Sequence, residues 1–215
     1  LRMSLTSLLF LSIGSALCLH PASAAERTAW KDSHVAGTPD PALPFRTQRI
    51  LPNLSFTHPT LLAFVPGSRT LLVGEQEGKL WACDYRADVQ DKSVVIDLSK
   101  VIQPPEGQQF EALYGLAFDP RFKENRQIYL CYTLRSKDGK TPPPDGTRVS
   151  RFLLPASMPL EIKPDTEQIL LTFLSGGHNG GCLEFGPDGY LYITTGDGAP
   201  PNPPDGLHTG QDCSD

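Results

Sequence analysis

The sequence predicts an all-β protein of the β-propeller class, and three observations lead to this prediction. Glycine and proline are abundant. The 19 Gly and 21 Pro make up about 19% of the 215 residues, against a usual share of about 12% for the two together. An interior proline costs a helix about 3 kcal/mol, so the composition favours short strands joined by turns. A strand–turn–strand pattern occurs three times, and its spacing is typical of propeller blades.

Each copy of the pattern is an apolar strand ending in Phe-x-Pro, a turn, and a second strand of β-branched or aromatic residues. The copies lie at 61–74, 115–132 and 182–195, and further strands are expected at 78–85 and 148–154. Proline ends the first strand because it cannot donate to the ladder, and Gly189 supplies a positive φ in the third turn. About four strands in roughly 50 residues indicate one blade.

The N-terminal residues 1–24 are predicted to be a secretory signal peptide. Arg2 precedes an apolar stretch at 5–19, and small residues before Ala25 suit cleavage after Ala24. The apolar stretch is too short for a good membrane span, and an uncleaved anchor is the alternative. Residues 25–48 are expected to be an extended lead-in. We therefore expect a periplasmic or secreted protein without a membrane span after cleavage.

The overall composition limits the possible partners. Apolar residues make up 39% of the chain, which is enough for a folded core. The formal charge is −5, and lysine and arginine do not cluster. A nucleic-acid partner that depends on phosphate neutralisation is therefore not expected.

Four cysteines would remain after cleavage, namely Cys83, Cys131, Cys182 and Cys213. An exported protein can pair them in three ways, between which the sequence does not choose. Cys83 and Cys131 lie within apolar runs, so the simpler interpretation for these two is a small buried hydrophobic side chain.

The most unusual stretch is 176–181, where four glycines flank His178 and Asn179. Glycine weakens a strand unless something approaches its backbone closely. This stretch is therefore predicted to adjoin a ligand, with His178 as a candidate general base. A turn in which both side chains cap backbone groups is the alternative.

A zinc site is a weaker alternative, because the Gly-Gly lead-in to a strand is neither a helix nor a zinc knuckle. Its ligand types would come from His178, Cys182, His208 and Cys213. No metal ligand is assigned from the sequence.

Two motifs give the chain a family resemblance. They are His178-Asn179-Gly180-Gly181, with the following Gly186-Pro187-Asp188-Gly189 and Gly196-Asp197, and Leu113-Tyr114-Gly115-Leu116-Ala117-Phe118-Asp119-Pro120. Over about 45–215 the chain resembles the soluble quinoprotein glucose/sorbosone dehydrogenases and the related hedgehog-interacting-protein-like propellers. The resemblance implies a six-bladed β-propeller. Residues 49–215 would then hold about the first three blades, the N-terminal half of a truncated propeller with little activity of its own.

The resemblance also implies a function, that of a sugar dehydrogenase of the aldose or sorbosone type dependent on pyrroloquinoline quinone (PQQ) and calcium. His178 would take the proton from the sugar C1 hydroxyl while hydride passes to the quinone. A sugar or polyol would be the substrate, and a quinone or cytochrome would accept the electrons. Residues expected at the sugar are Gln108 or Gln109, Asn179 and Asp197, and the nearby Glu111 is an alternative to the two glutamines.

The chain departs from the family pattern in two respects. Gly177 stands where the glucose enzymes place an aspartate, which argues against glucose as the substrate. The quinone and calcium ligands of the family lie in later blades, so no residue is assigned to either group. A non-catalytic propeller that binds a protein or carbohydrate partner is the alternative function.

Overall fold

The computed structural model describes residues 46–198, and this part of the chain is built almost entirely of strands. The strands are β1 (Pro59–Phe64), β2 (Thr70–Glu75), β3 (Lys79–Asp84), β4 (Ser93–Asp97), β5 (Gln108–Phe118), β6 (Gln127–Ser136), β7 (Thr147–Leu153), β8 (Gln168–Phe173), β9 (Gly180–Phe185) and β10 (Leu191–Thr195). Short helical segments are α1 (Leu98–Val101), α2 (Phe122–Asn125) and the 3-10 turn Pro164–Thr166. Within these residues no helix has the length and apolar character needed to cross a membrane.

The strands form antiparallel meanders in which each strand pairs with its neighbour in the chain. Strands β1 to β4 make one four-stranded sheet, β5 to β8 make a second, and β9 and β10 make a hairpin. We call these blade 1, blade 2 and the blade 3 hairpin. Their first strands are neighbours, since β1 contacts β5 and β5 contacts β9. The Thr60 hydroxyl, for example, donates to the Leu113 carbonyl at 2.8 Å.

The repeat found in the sequence corresponds to the first two strands of each blade, and the expected strands at 78–85 and 148–154 are β3 and β7. Gly189 has φ +83° at the β9–β10 turn, as the turn chemistry predicts. The sequence analysis did not identify β4 and β8, the last strand of each four-stranded blade.

Two apolar clusters join the blades, and β6 contributes to both because successive side chains of a strand point to opposite faces. Leu130 and Tyr132 are buried with Leu80 of blade 1. Tyr129 and Cys131 are buried on the other face with Leu183 of the blade 3 hairpin. Blade 2 is therefore packed on both sides.

Cys83 and Cys131 are buried and form no disulfide within residues 46–198, which confirms the interpretation of both as small hydrophobic side chains. Burial raises the pKa of Cys131 to about 12, so this thiol stays protonated at neutral pH. Cys182 is exposed and also free. Cys213, the predicted signal peptide and residues 25–45 of the lead-in lie outside the described residues.

The packing of blade 2 against blade 1 predicts a contrast between two leucines. Leu113 is fully buried in the cluster between these blades, whereas Leu62 on β1 is 58% exposed. Leu113→Ala is expected to lower the free energy of unfolding by about 2–5 kcal/mol, and the control Leu62→Ala by less than about 0.5 kcal/mol. Denaturant unfolding of the two variants measures both changes, and equal losses would contradict this packing.

Candidate functional site

His178 lies in the segment between β8 and β9 and faces Asp197, which follows β10. Its Nδ1 atom is 3.2 Å from Asp197 Oδ1, and the His178 side chain is 46% exposed against 15% for Asp197. An ionised carboxylate only accepts hydrogen bonds, so Nδ1 carries the proton in the neutral ring. The Nε2 atom then keeps its lone pair. His178 is therefore a half-exposed imidazole that can accept a proton at Nε2.

Asn179 is buried, and its amide holds the backbone of Gly176. The Gly176 amide donates to Asn179 Oδ1 at 2.7 Å, and Asn179 Nδ2 donates to the Gly176 carbonyl at 3.1 Å. Asn179 also shares a hydrogen bond with Tyr114, whose pKa is raised mainly by burial. Asn179 thus caps backbone groups, as in the alternative of a turn, and its contact with a substrate stays a prediction.

The glycines around His178 allow two backbone segments to touch. A Cβ atom at Gly176 would overlap the Gly198 carbonyl, and one at Gly196 would overlap the carbonyl of His178. Gly180 and Gly181 have φ +67° and +100°, a conformation that other residues rarely adopt. The sequence predicted a close approach to this backbone, and in the structure the approaching group is the chain itself. This contact brings Asp197 to His178.

Two cavities flank the His178 segment. The first, of about 590 Å³, lies among the first strands of the blades and is lined by residues that include Thr60, Tyr114, Gly180 and Glu184. The second, of about 280 Å³, is lined by residues that include Glu111, Arg135, Lys140, Ser175 and Gly176. We call them the inner-strand cavity and the loop cavity. Gly176, two residues before His178, lines the loop cavity, and Gly180, two residues after it, lines the inner-strand cavity.

Three of the polar residues expected near the sugar lie on β5, and the structure gives them different surroundings. Glu111 lines the loop cavity and accepts a hydrogen bond from the Thr133 hydroxyl at 2.9 Å. Gln108 lines a different cavity, where its Nε2 lies 3.5 Å from Asp145 Oδ1. Gln109 lies opposite Arg135 in the β5–β6 ladder.

Arg135 is a lining residue that the sequence analysis missed. With the amide oxygen of Gln109 turned toward the guanidinium, it accepts from Arg135 Nε at 2.9 Å and from Nη2 at 3.2 Å. One arginine in a strand carries no motif, so only the cross-strand register could have indicated its position.

No calcium or PQQ ligand is assigned among the described residues. Between residues 46 and 198 no three His, Cys, Asp or Glu side chains gather as a metal site would require, and His208 and Cys213 lie outside this range. PQQ carries carboxylates, and the inner-strand cavity does not suit them, because Glu184 is the one charged residue that lines it. The cations Arg135 and Lys140 line the loop cavity instead. We assign no described residue to either group.

Comparison with known proteins identifies the family. The family model described as glucose/sorbosone dehydrogenase matches residues 56–212. The chain belongs to the glucose/sorbosone dehydrogenase family. This chain is 32% identical over 136 residues to the human hedgehog-interacting protein, and the match covers 61% of this chain and 19% of that protein. It is 31% identical over 158 residues to quinoprotein glucose dehydrogenase B of Acinetobacter calcoaceticus, covering 71% and 31%.

Two solved structures share the fold of this glucose/sorbosone dehydrogenase family member. The PQQ-bound aldose sugar dehydrogenase of Streptomyces coelicolor has a TM-score of 0.52 and 25% identity, over 70% of this chain and 41% of that one. The apo-form of the soluble aldose sugar dehydrogenase of Escherichia coli has a TM-score of 0.52 and 28% identity, over 73% and 41%. The fold prediction is confirmed, and the chain holds about the first three blades of the six-bladed propeller. It spans less than a third of the two curated relatives.

The buried amide of Asn179 predicts that this side chain supports the His178 segment. Asn179→Ala removes both hydrogen bonds to Gly176 and should cost about 1–3 kcal/mol of unfolding free energy, with faster hydrogen exchange at the Gly176 amide. The control Asn53→Ala removes one bond of 3.3 Å that an exposed side chain donates to the Val89 carbonyl, and it should cost less than about 0.5 kcal/mol. Unchanged exchange at Gly176 would contradict this role.

Proposed function

We propose that this family member is part of an exported, PQQ-dependent sugar dehydrogenase in which His178 is the general base. The observation that carries the proposal is the pair His178–Asp197, in which a half-exposed imidazole is held through Nδ1 in a segment whose residues Gly176 and Gly180 line two cavities. Membership of the glucose/sorbosone dehydrogenase family supports the same activity.

The chemistry of the pair follows from its geometry. The C1 hydroxyl of a sugar would donate its proton to His178 Nε2 as C1 is oxidised. Asp197 accepts from Nδ1, which holds the ring in the correct tautomer and stabilises the imidazolium that forms. No described residue is assigned to hydride acceptance or to calcium, and no three His, Cys, Asp or Glu side chains gather within residues 46–198.

The substrate of the whole protein would be a sugar or polyol, and a quinone or cytochrome would take the electrons onward. Gly177 replaces the aspartate expected in glucose enzymes, so another aldose is the better candidate. Periplasmic or secreted location rests on the predicted signal peptide at 1–24.

A second candidate function is a propeller that binds a protein or carbohydrate partner without chemistry. The identity of 32% to the hedgehog-interacting protein favours it. The two candidates differ in one measurable property, because only the first predicts oxidation of a sugar.

The role of His178 predicts the outcome of a dye-reduction assay on the full-length protein with added PQQ, calcium and a panel of aldoses. His178→Ala should lower turnover about 10²- to 10⁴-fold, the usual contribution of a general base. The control is His58→Ala, since His58 is also an exposed histidine whose Nδ1 contacts a carboxylate, at 2.5 Å from Glu77 Oε1. This control should keep its turnover.

Each outcome of this assay decides a point. Full activity of His178→Ala would exclude the base role, and equal losses in both histidine variants would point to a general effect on folding. Failure of the wild-type protein to oxidise any sugar would overturn the dehydrogenase proposal in favour of the binding propeller.

A further inference from the structure

The β6–β7 loop, residues 137–146, forms a fixed wall beside the His178 segment. Its Pro143 is buried, and the Pro143 carbonyl accepts from the amides of Gly146 at 3.1 Å and Ser175 at 3.0 Å. The Ser136 hydroxyl donates to the Thr141 carbonyl at 2.5 Å. The loop is therefore bonded to the same short segment that leads to His178, three residues beyond Ser175.

The loop cavity between this wall and β5 combines two cations with one carboxylate. Arg135 and Lys140 line it together with Glu111. Gln109 holds Arg135 through two of its five N–H groups, which leaves three donors for another acceptor. An exposed guanidinium that is already oriented matches a planar carboxylate or a sulfate, because its donors are fixed in a fork.

The cavity is within reach of the candidate base. Gly176 lines the cavity and precedes His178 by two residues, so their Cα atoms are separated by no more than about 7 Å. A saccharide with a substituent in the loop cavity would therefore lie against the segment that carries His178.

We propose that the loop cavity is a subsite for an anionic substituent of the saccharide, a carboxylate or a sulfate ester, bound by Arg135 and Lys140. This inference rests on the proposed function, from which it takes a saccharide at His178. It assigns Arg135 and Lys140 to the choice of substrate, while Glu111 stays available to sugar hydroxyls.

The test measures direct binding to the full-length protein without cofactor, by isothermal calorimetry or NMR titration. The probes are glucose, glucuronate and glucose 6-sulfate. Both anionic sugars, or one of them, should bind about fivefold or more tightly than glucose, the gain typical of an exposed charge pair. Added salt should reduce this preference.

The variants separate the subsite from a general charge effect. Arg135→Gln should bring the anionic sugars to within about twofold of glucose, and Lys140→Gln, a surface change in the loop, should weaken the preference. The control Arg151→Gln removes a guanidinium that contacts Gln168 across β7 and β8, outside the loop cavity. It should keep the full preference.

The outcomes are distinct. A preference for glucuronate alone identifies a carboxylate, and one for the 6-sulfate alone identifies a sulfate. Equal binding of all three sugars, no binding of either anionic sugar, or a preference that survives Arg135→Gln would overturn the subsite. If the Arg135-dependent preference is found but dye reduction is absent, the subsite stands and the dehydrogenase proposal fails. If neutral aldoses are oxidised but the anionic sugars are not preferred, the dehydrogenase proposal stands and the subsite fails.

Discussion

The contact between two glycine-bearing backbone segments is the constraint on which the candidate site depends. The carbonyl of His178 lies against Gly196, and the carbonyl of Gly198 lies against Gly176, at distances that leave no room for a Cβ atom. Any other residue would force the segments apart by steric overlap. The short distance between His178 and Asp197 is therefore set by backbone packing as well as by the attraction between their side chains.

The same principle connects the site to the blades. A Cβ atom at Gly115 of β5 would overlap the Gly181 carbonyl, so the first strands of blade 2 and the blade 3 hairpin approach each other closely. Tyr114, the neighbour of Gly115, shares a hydrogen bond with Asn179, which in turn holds Gly176. The packing of blade 2 against the blade 3 hairpin is thus linked to the His178 segment through Tyr114 and Asn179.

The sequence predicted the features that depend on local pattern, such as the three strand pairs, the turn at Gly189 and the family motif around His178. It failed for β8, where consecutive apolar residues without alternation carry no strand period. The polar residues of β5 were hard to place for another reason. The ladder with β6 has a bulge between Phe110 and Ala112, and a bulge changes which side chains share a face without leaving a sequence signal. The family resemblance named Gln108 or Gln109, with Glu111 as the alternative; of these three, Glu111 lines the loop cavity together with Arg135, and contact of any of them with a sugar stays a prediction.

The attachment of the β6–β7 loop has a consequence for how such a protein can diversify. Pro143 is joined to Ser175 and Gly146 through backbone atoms alone, and these bonds do not depend on the side chains at the exposed tip, residues 138–141. Mutations at the tip can therefore alter the surface offered to a ligand while the support of the His178 segment is preserved. Asp138 and Gly139 hold the turn itself, because the Asp138 carboxylate accepts from the Lys140 amide and Gly139 has φ +66°. An evolving or engineered library confined to positions 140 and 141 would therefore explore recognition with little cost in stability.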